Sequence, residues 1–305
     1  MSPRFRHYRA FGLGWQSELS LPELRDADAG NASAEGDVIV EIGRAPAPDI
    51  ATVVTGVRAA PDTFWMEVPE VARYLVIGGT RIVVEPIGDA AEGDVRAFLL
   101  GSAVGALLHQ RGYLPLHASA VEIDGHAVAF VAPSGGGKST IAMHLHHLGH
   151  RVIADDLCAV EVSGDRARLW PGLRNLKLWR ASLGAIDRAP DGFEPVLQTM
   201  DKYRVPIDAL ADDRAFDLAA VIRLDWGEAP ALTPLRGAEG VGVLVANTFR
   251  GQLVAPMARG TEHWRQCVEL FARADVLALA RPRALNRLDE ASALVTARFA
   301  RPGGG

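Results

Sequence analysis

At 305 residues, the chain has room for one large α/β domain, or for a core domain with a smaller one beside it. Hydrophobic residues make up 49% and charged residues 23%, a balance that excludes wholesale disorder. The formal net charge of -5, with no run of Lys and Arg interleaved with aromatics, excludes a general nucleic-acid binder.

In chain order, the N-terminal stretch 1–7 lacks the apolar region of a secretory signal. The longest apolar run, 98–108, is too short to span a bilayer and is interrupted by Gly101 and Ser102. A cytoplasmic protein without membrane contact is expected. Residues 26–36 are small, acidic and aperiodic, which predicts a surface loop; the glycosylation sequon at Asn31 inside it is read as a coincidence. Val38–Ile42 has the composition of a strand. Residues 74–77 and 80–84 flank Gly78-Gly79, and paired glycines supply the positive φ values of a hairpin turn. Residues 88–94 form the expected boundary between a small β-rich N-terminal domain, 1–93, and a catalytic domain, 94–305. Asp94 is placed to cap a helix in which Val95, Phe98, Leu99, Ser102, Ala103, Ala106 and Leu107 recur at helical spacing. Strands follow at 118–123 and 127–131, joined at Asp124-Gly125, then a helix over 138–148 and a strand over 151–154. Residues 187–195 read as a mobile loop, and the Pro-Gly-Gly-Gly end as a frayed tail.

The chemistry concentrates at Ala132-Pro133-Ser134-Gly135-Gly136-Gly137-Lys138-Ser139-Thr140, between an apolar strand and a helix carrying Ile141, Leu145 and Leu148 on one face. This is the P-loop pattern, with Ala132 standing where the first glycine usually stands. A polyphosphate must be approached closely by inward-turned backbone N–H groups, which glycine permits without Cβ clashes. The helix N-terminus adds partial positive charge. Residues 134–140 are therefore the expected nucleotide site for ATP. Lys138 would reach the outer phosphates, and the Ser139 hydroxyl would join a Mg²⁺ shell. The competing reading is a glycine-rich turn ahead of an unrelated helix, and Gly-Lys-Ser-Thr in this slot weighs against it.

Downstream, an apolar strand expected beside the strand that feeds the cradle ends in Asp155 and Asp156, where such a fold places its metal ligand. Two adjacent carboxylates suggest divided labour, one holding metal and the other orienting or deprotonating an acceptor hydroxyl; a solvated turn is the alternative. His117, ahead of the strand that leads to the cradle, reads by itself as a structural histidine. His144, His146, His147 and His150 find no carboxylate or cysteine to complete a ligand set and read as a solvated helix face. Cys158 and Cys267 form no paired spacing, and Cys158 lies in an apolar run, as a small core residue does.

From His117 to Asp156 the chain resembles the HPr serine kinase/phosphorylase family, with its phosphoenolpyruvate-carboxykinase-like P-loop core. The carrying residues are His117-Ala118-Ser119, the cradle at 132–140 and the run 148–156 that ends in the two aspartates. More broadly the chain is similar to HPr-kinase-related proteins that accompany peptide-modifying gene clusters. That likeness runs through Gly12-Leu13, Ser17-Glu18-Leu19, the stretch 96–112, Pro171-Gly172, residues 176–179 and residues 202–206. Some such relatives belong to lasso-peptide pathways and phosphorylate a serine of the precursor peptide.

The resemblance implies a serine kinase in which Asp155 is the base facing the acceptor hydroxyl, Asp156 and Ser139 hold Mg²⁺, and His117 tunes the acidic pair. Lys177, Lys202 and Arg204 would meet the transferred phosphate or the acceptor peptide; ordinary surface basic residues are the other reading of Lys202 and Arg204. Residues 171–177 stand in the place of the family's phosphorylase signature without a carboxylate, so the resemblance does not extend to phosphate-driven dephosphorylation or to a second metal. The acceptor expected is a peptide or small protein with a serine. A small-molecule alcohol kinase on the same core and a nucleotide-binding regulatory module without turnover are the rival readings, and a homo-oligomer is left open.

Overall fold

Period-two alternation shapes the first part of the chain. The strand Leu13–Ser17 buries Leu13, Trp15 and Ser17 and leaves Gly14 and Gln16 half-buried. The computed structural model describes residues 5–27, 37–180, 183, 192–197, 201–207 and 214–300. Residues 28–36 with their sequon, residues 187–191 and the tail from 301 lie outside the described residues. The architecture is mixed α/β.

The first sheet contains β1 (Arg6–Ala10), β2 (Leu13–Ser17), β3 (Arg25–Asp26), β4 (Val38–Ile42), β5 (Thr52–Val54), β6 (Val57–Ala60), β7 (Thr63–Val68), β8 (Ala72–Ile77) and β9 (Arg81–Pro86). Their spatial order is β3-β1-β2-β4-β9-β8-β7-β6-β5. β8 and β9 pair antiparallel across Gly78 (φ 58) and Gly79 (φ 67), the hairpin that the two glycines predict. The following helix begins two residues before the expected cap. α1 (Glu92–Phe98) starts after Ala91, which makes no side-chain cap, and Asp94 sits in its first turn, where a carboxylate favours the helix dipole. A π-turn at Leu99–Ala103 joins α1 to α2 (Val104–Gln110). Val95, Leu99, Ala103 and Leu107 share one core with Trp15, Tyr74 and Phe64 of the sheet. Among the described residues no helix is long and apolar enough to cross a membrane.

The second sheet runs β10 (Leu114–Leu116), β14 (Cys158–Ser163), β15 (Arg166–Trp170), β19 (Phe216–Trp226), β12 (His126–Val131), β11 (Ala118–Ile123) and β13 (Arg151–Ala154), with β21 (Asp275–Arg281) and β20 (Ala231–Pro234) joined at β19. β12, β19 and β21 are mutually parallel. One face buries Ala118, Ala120, Ala129 and Val131 under α4 (Gly237–Ala246) and α5 (Gly260–Arg273). The other buries Val121, Ile123, Val128 and Phe130 under α3 (Lys138–His147) and α6 (Leu288–Phe299). A small sheet of β16 (Asn175–Trp179), β18 (Lys202–Pro206) and β17 (Glu194–Pro195) adjoins it, so part of the loop expected at 187–195 is strand.

Two local expectations are corrected here. Leu148 ends α3 and is 53% exposed, so it does not share the buried face of Ile141 and Leu145. His144 is not on a solvated face: its Nε2 meets Asp289 of α6 at 3.1 Å.

His109 gives the fold a pH dependence. It is 2% exposed, its Nε2 lies 2.8 Å from the Phe249 carbonyl, and burial pushes its pKa down to about 4. The unfolded chain, titrating near 6.5, binds the extra proton between those values, so this contribution to stability is lost as pH falls through that window. Lowering the pH from 7 to 4.5 should cost the native chain about 2–3 kcal/mol more than it costs His109→Gln, by urea unfolding. Equal losses in the two proteins would refute it.

Candidate active site

The glycine-rich loop leaves the end of β12 and enters α3. Gly135 (φ 77) and Gly137 (φ 84) lie in the left-handed region, where a side chain is strained. Gly136 is needed for space, because a Cβ there would lie 2.5 Å from the Ala132 Cβ and 2.9 Å from the Pro133 carbonyl. From the outside the loop is held by Arg281 at the end of β21. This arginine is 2% exposed, donates to the Gly136 carbonyl at 2.8 Å and stacks over the Trp226 ring at 4.4 Å.

Lys138 opens α3 and is 7% exposed. Its Nζ donates to the Ala132 carbonyl at 2.8 Å and lies 3.0 Å from His117 Nε2. His117 Nδ1 in turn lies 3.0 Å from the Asp156 carbonyl oxygen and 3.3 Å from Asp156 Oδ1. Those oxygens can only accept, so the hydrogen-bond network assigns the proton to Nδ1 and leaves the Nε2 lone pair for the ammonium. Burial pushes the His117 pKa below its ordinary value and outweighs the pull of Asp156; Lys138 lowers it further. Burial also lowers the pKa of Lys138.

The acidic pair ends β13, and its two carboxylates go different ways, as adjacent strand residues do. Asp155 is 2% exposed. Its Oδ1 accepts from Ser119 Oγ at 2.5 Å and from Ser139 Oγ at 2.8 Å, while Oδ2 accepts from the Lys177 backbone N–H at 2.7 Å. Asp156 has a left-handed backbone (φ 69) and pairs with Lys177 Nζ at 2.6 Å. Burial would raise its pKa, but Lys177, His117 and Lys202 outweigh it and hold the carboxyl well below the usual range. The Ser139 hydroxyl therefore contacts Asp155, whereas the resemblance paired it with Asp156.

The expected neighbourhood of the two strands is corrected here. β13 is not beside β12: β11 lies between, antiparallel to both, because the tight Asp124-Gly125 turn pairs β11 with β12 first. This insertion is what brings Ser119, on β11, to Asp155. Ser119 belongs to the His117-Ala118-Ser119 run of the resemblance, but its contact with Asp155 was not legible in the sequence, and nothing there marks Arg281, since each reaches the site only through the order of strands.

Lys177 on β16 and Lys202 on β18 join the site, and both line the same two cavities as His117 and Asp156. One, of about 120 Å³, is lined by Ser134, Gly135, Lys138 and Ser139; the other, of about 740 Å³, opens beside it. Arg204 does not join them. It is 6% exposed, pairs with Glu194 at 3.0 Å and donates to the carbonyls of Gly93 and Val196. With Arg96, Glu23 and Glu194 it forms an ion-pair cluster between α1 and the small sheet. Cys158 is fully buried, and burial pushes its thiol pKa up, so it is no nucleophile.

No protein-family model matches the chain. The HPr kinase/phosphorylase of Chlorobium phaeobacteroides (strain BS1) is 37% identical over 60 residues, which are 20% of this chain and 18% of that protein. The solved structure of the Hpr(Ser) kinase/phosphatase from Coxiella burnetii aligns over 60% of this chain and 95% of its own, at 12% identity and a TM-score of 0.32. The match thus spans less than a fifth of the curated relative's length. Over that shared stretch of sequence, this chain is HPr-kinase-like.

Proposed function

We propose that the protein is a serine kinase that transfers the γ-phosphoryl group of ATP to a hydroxyl of a peptide or small protein. The reading takes residues 94–305 as a phosphoenolpyruvate-carboxykinase-like P-loop core and residues 1–93 as a β-rich domain beside it. One observation carries it: Lys138, Ser139, Asp155, Asp156, His117 and Lys177 converge at the mouth of a glycine loop that only small residues can form.

The donor set fits Mg²⁺. Ser139 and Asp155 offer hard oxygens, and among the described residues no group of three or more His, Cys, Asp or Glu could hold a metal by itself. Mg²⁺ commonly takes one or two protein oxygens and completes its shell with water and phosphate. When bound, it would neutralise phosphate charge. The contact of Ser139 with Asp155 supports giving Asp155 to the metal and Asp156 to the acceptor, the reverse of the assignment that the resemblance implies.

Lys138 is poised to exchange the Ala132 carbonyl for a phosphate oxygen. Lys177 and His117 keep Asp156 ionised and oriented. A weakly basic carboxylate suffices there, because a loose phosphoryl transfer develops little charge on the nucleophile until late. Positioning and charge neutralisation then supply the rate.

The test is incubation with Mg-ATP and peptides encoded beside the gene, read by mass spectrometry. Phosphoserine on a peptide supports the reading; transfer only to small alcohols, or nucleotide binding without any transfer, overturns it. The loop itself is tested by Gly137→Ala. A Cβ there would run into the Arg281 guanidinium, and alanine at φ 84 costs about 1–2 kcal/mol by itself. Denaturant unfolding should show at least that loss, and calorimetry a weakened affinity for ATP. Native-like values of both would mean that the loop is no cradle.

A further inference from the structure

We propose that the 740 Å³ cavity selects an acceptor carrying acidic side chains next to the phosphorylated hydroxyl, and that Arg250, with Lys202, reads them. The inference rests on the kinase reading above and adds to it the charge of the acceptor.

The cavity shares His117, Asp156, Lys177 and Lys202 with the cavity of the glycine loop, so a chain lying in it reaches the reacting centre. Much of its wall is apolar, including Phe98 of α1, Val196, Leu197 and Phe249. Its charged lining residues are Asp156, Lys177, Lys202 and Arg250. Asp156 and Lys177 neutralise each other at 2.6 Å. Lys202 and Arg250 form no ion pair among the described residues, which leaves two positive charges on the wall. In a chain of net charge -5 that is a local inversion of sign, and it favours an anionic occupant.

Arg250 is held at some cost. Its backbone is left-handed (φ 51, ψ 43), a conformation that arginine rarely adopts. Strain of this kind persists where the surroundings over-determine it, and it clusters at ligand sites. Here the surroundings are explicit. The Phe249 N–H donates to the Pro115 carbonyl at 2.8 Å, Leu116 bridges Thr248, and the His117 N–H donates to the Asn247 carbonyl at 2.8 Å. The turn that carries Arg250 is thus strapped to the strand that leads into His117, and the Phe249 ring stands 5.9 Å from the His117 ring. The guanidinium donates to Ser102 Oγ at 2.5 Å and is near enough to Asp156 to feel its charge. A planar fork with donors to spare suits a carboxylate held beside the acceptor.

The probes are serine peptides acetylated and amidated at their ends, with Glu, Gln or Lys flanking the serine. In the native protein the KM of the Glu set should lie about tenfold or more below that of the Gln set, the worth of a charge-assisted hydrogen bond. Arg250→Asn, which suits the left-handed turn, should raise the KM of the Glu set most of the way to that of the Gln set, Lys202 keeping the remainder, and should move the Gln set far less. Arg250→Glu should turn the preference toward the Lys set. Equal KM values across the sets, or a variant that raises all of them alike, would overturn the inference while leaving the kinase reading intact.

If no peptide is phosphorylated, the kinase reading fails on its own, and fluorescence anisotropy with the same peptides still tests the site. Tighter binding of the Glu set, lost in Arg250→Asn, supports the inference. Indifference to the flanking charge, or a Glu preference that Arg250→Asn leaves unchanged, removes it.

Discussion

Lys138→Ala should lower phosphoryl transfer by about 10³-fold or more while the protein stays folded, because the ammonium is the one loop cation placed to meet charge in the transition state. Lys138 is nearly buried, and its polar contacts are the Ala132 carbonyl and His117 Nε2. Neither is an anion, and burial already disfavours the charged lysine. Asp156 and Asp155 favour the ammonium without touching it, and burial outweighs them; a phosphate would bring counter-charge into contact, so the loss falls on catalysis and on ATP affinity together. Stability should fall only by about 1–2 kcal/mol, from one carbonyl left without its donor and a short aliphatic stem removed. Initial rates, ATP titration and thermal unfolding of the same preparation check all three. Near-native transfer by a folded variant would remove the cradle from the mechanism.

The acidic pair should divide in the opposite sense from the one the family resemblance implies. Asp156→Asn should cut turnover by about 10²–10⁴-fold with ATP affinity kept, since it removes the carboxylate that the proposal gives to the acceptor. Asp155→Asn should raise the Mg²⁺ requirement and also destabilise the fold. Both oxygens of Asp155 accept, from two hydroxyls on one side and from the Lys177 N–H on the other. Either orientation of an asparagine amide would set its NH₂ against one of those donors, the backbone N–H or the serine hydroxyls. A donor facing a buried N–H costs about 1–3 kcal/mol. Hydroxyls can rotate away, so the milder orientation gives the lower end of that range. Mg²⁺ titrations of the two variants decide between the assignments. A shift in metal dependence with Asp156→Asn alone would restore the first assignment, and full turnover in both variants would end the kinase reading.

Much of the local structure was legible in the chain. Gly78-Gly79 and Asp124-Gly125 announce their hairpins, because tight turns demand positive φ. The loop 132–137 declares itself by needing glycine for conformation at Gly135 and Gly137 and for space at Gly136.

What the sequence could not decide is which neighbour each side chain meets across the sheet. Adjacent aspartates point opposite ways, so their roles follow from where β11 is inserted, and that order depends on long-range pairing. His144 found its carboxylate, Arg204 its glutamates and Arg281 its loop on elements remote in the chain. Arg250, too, enters the site only because the turn at 247–250 is hydrogen-bonded to β10. Local patterning therefore determined the 74–84 and 118–131 hairpins and the glycine loop of this protein. The partners of its charged side chains were decided by tertiary structure, because a buried charge takes whichever counter-charge or dipole the packing brings within reach.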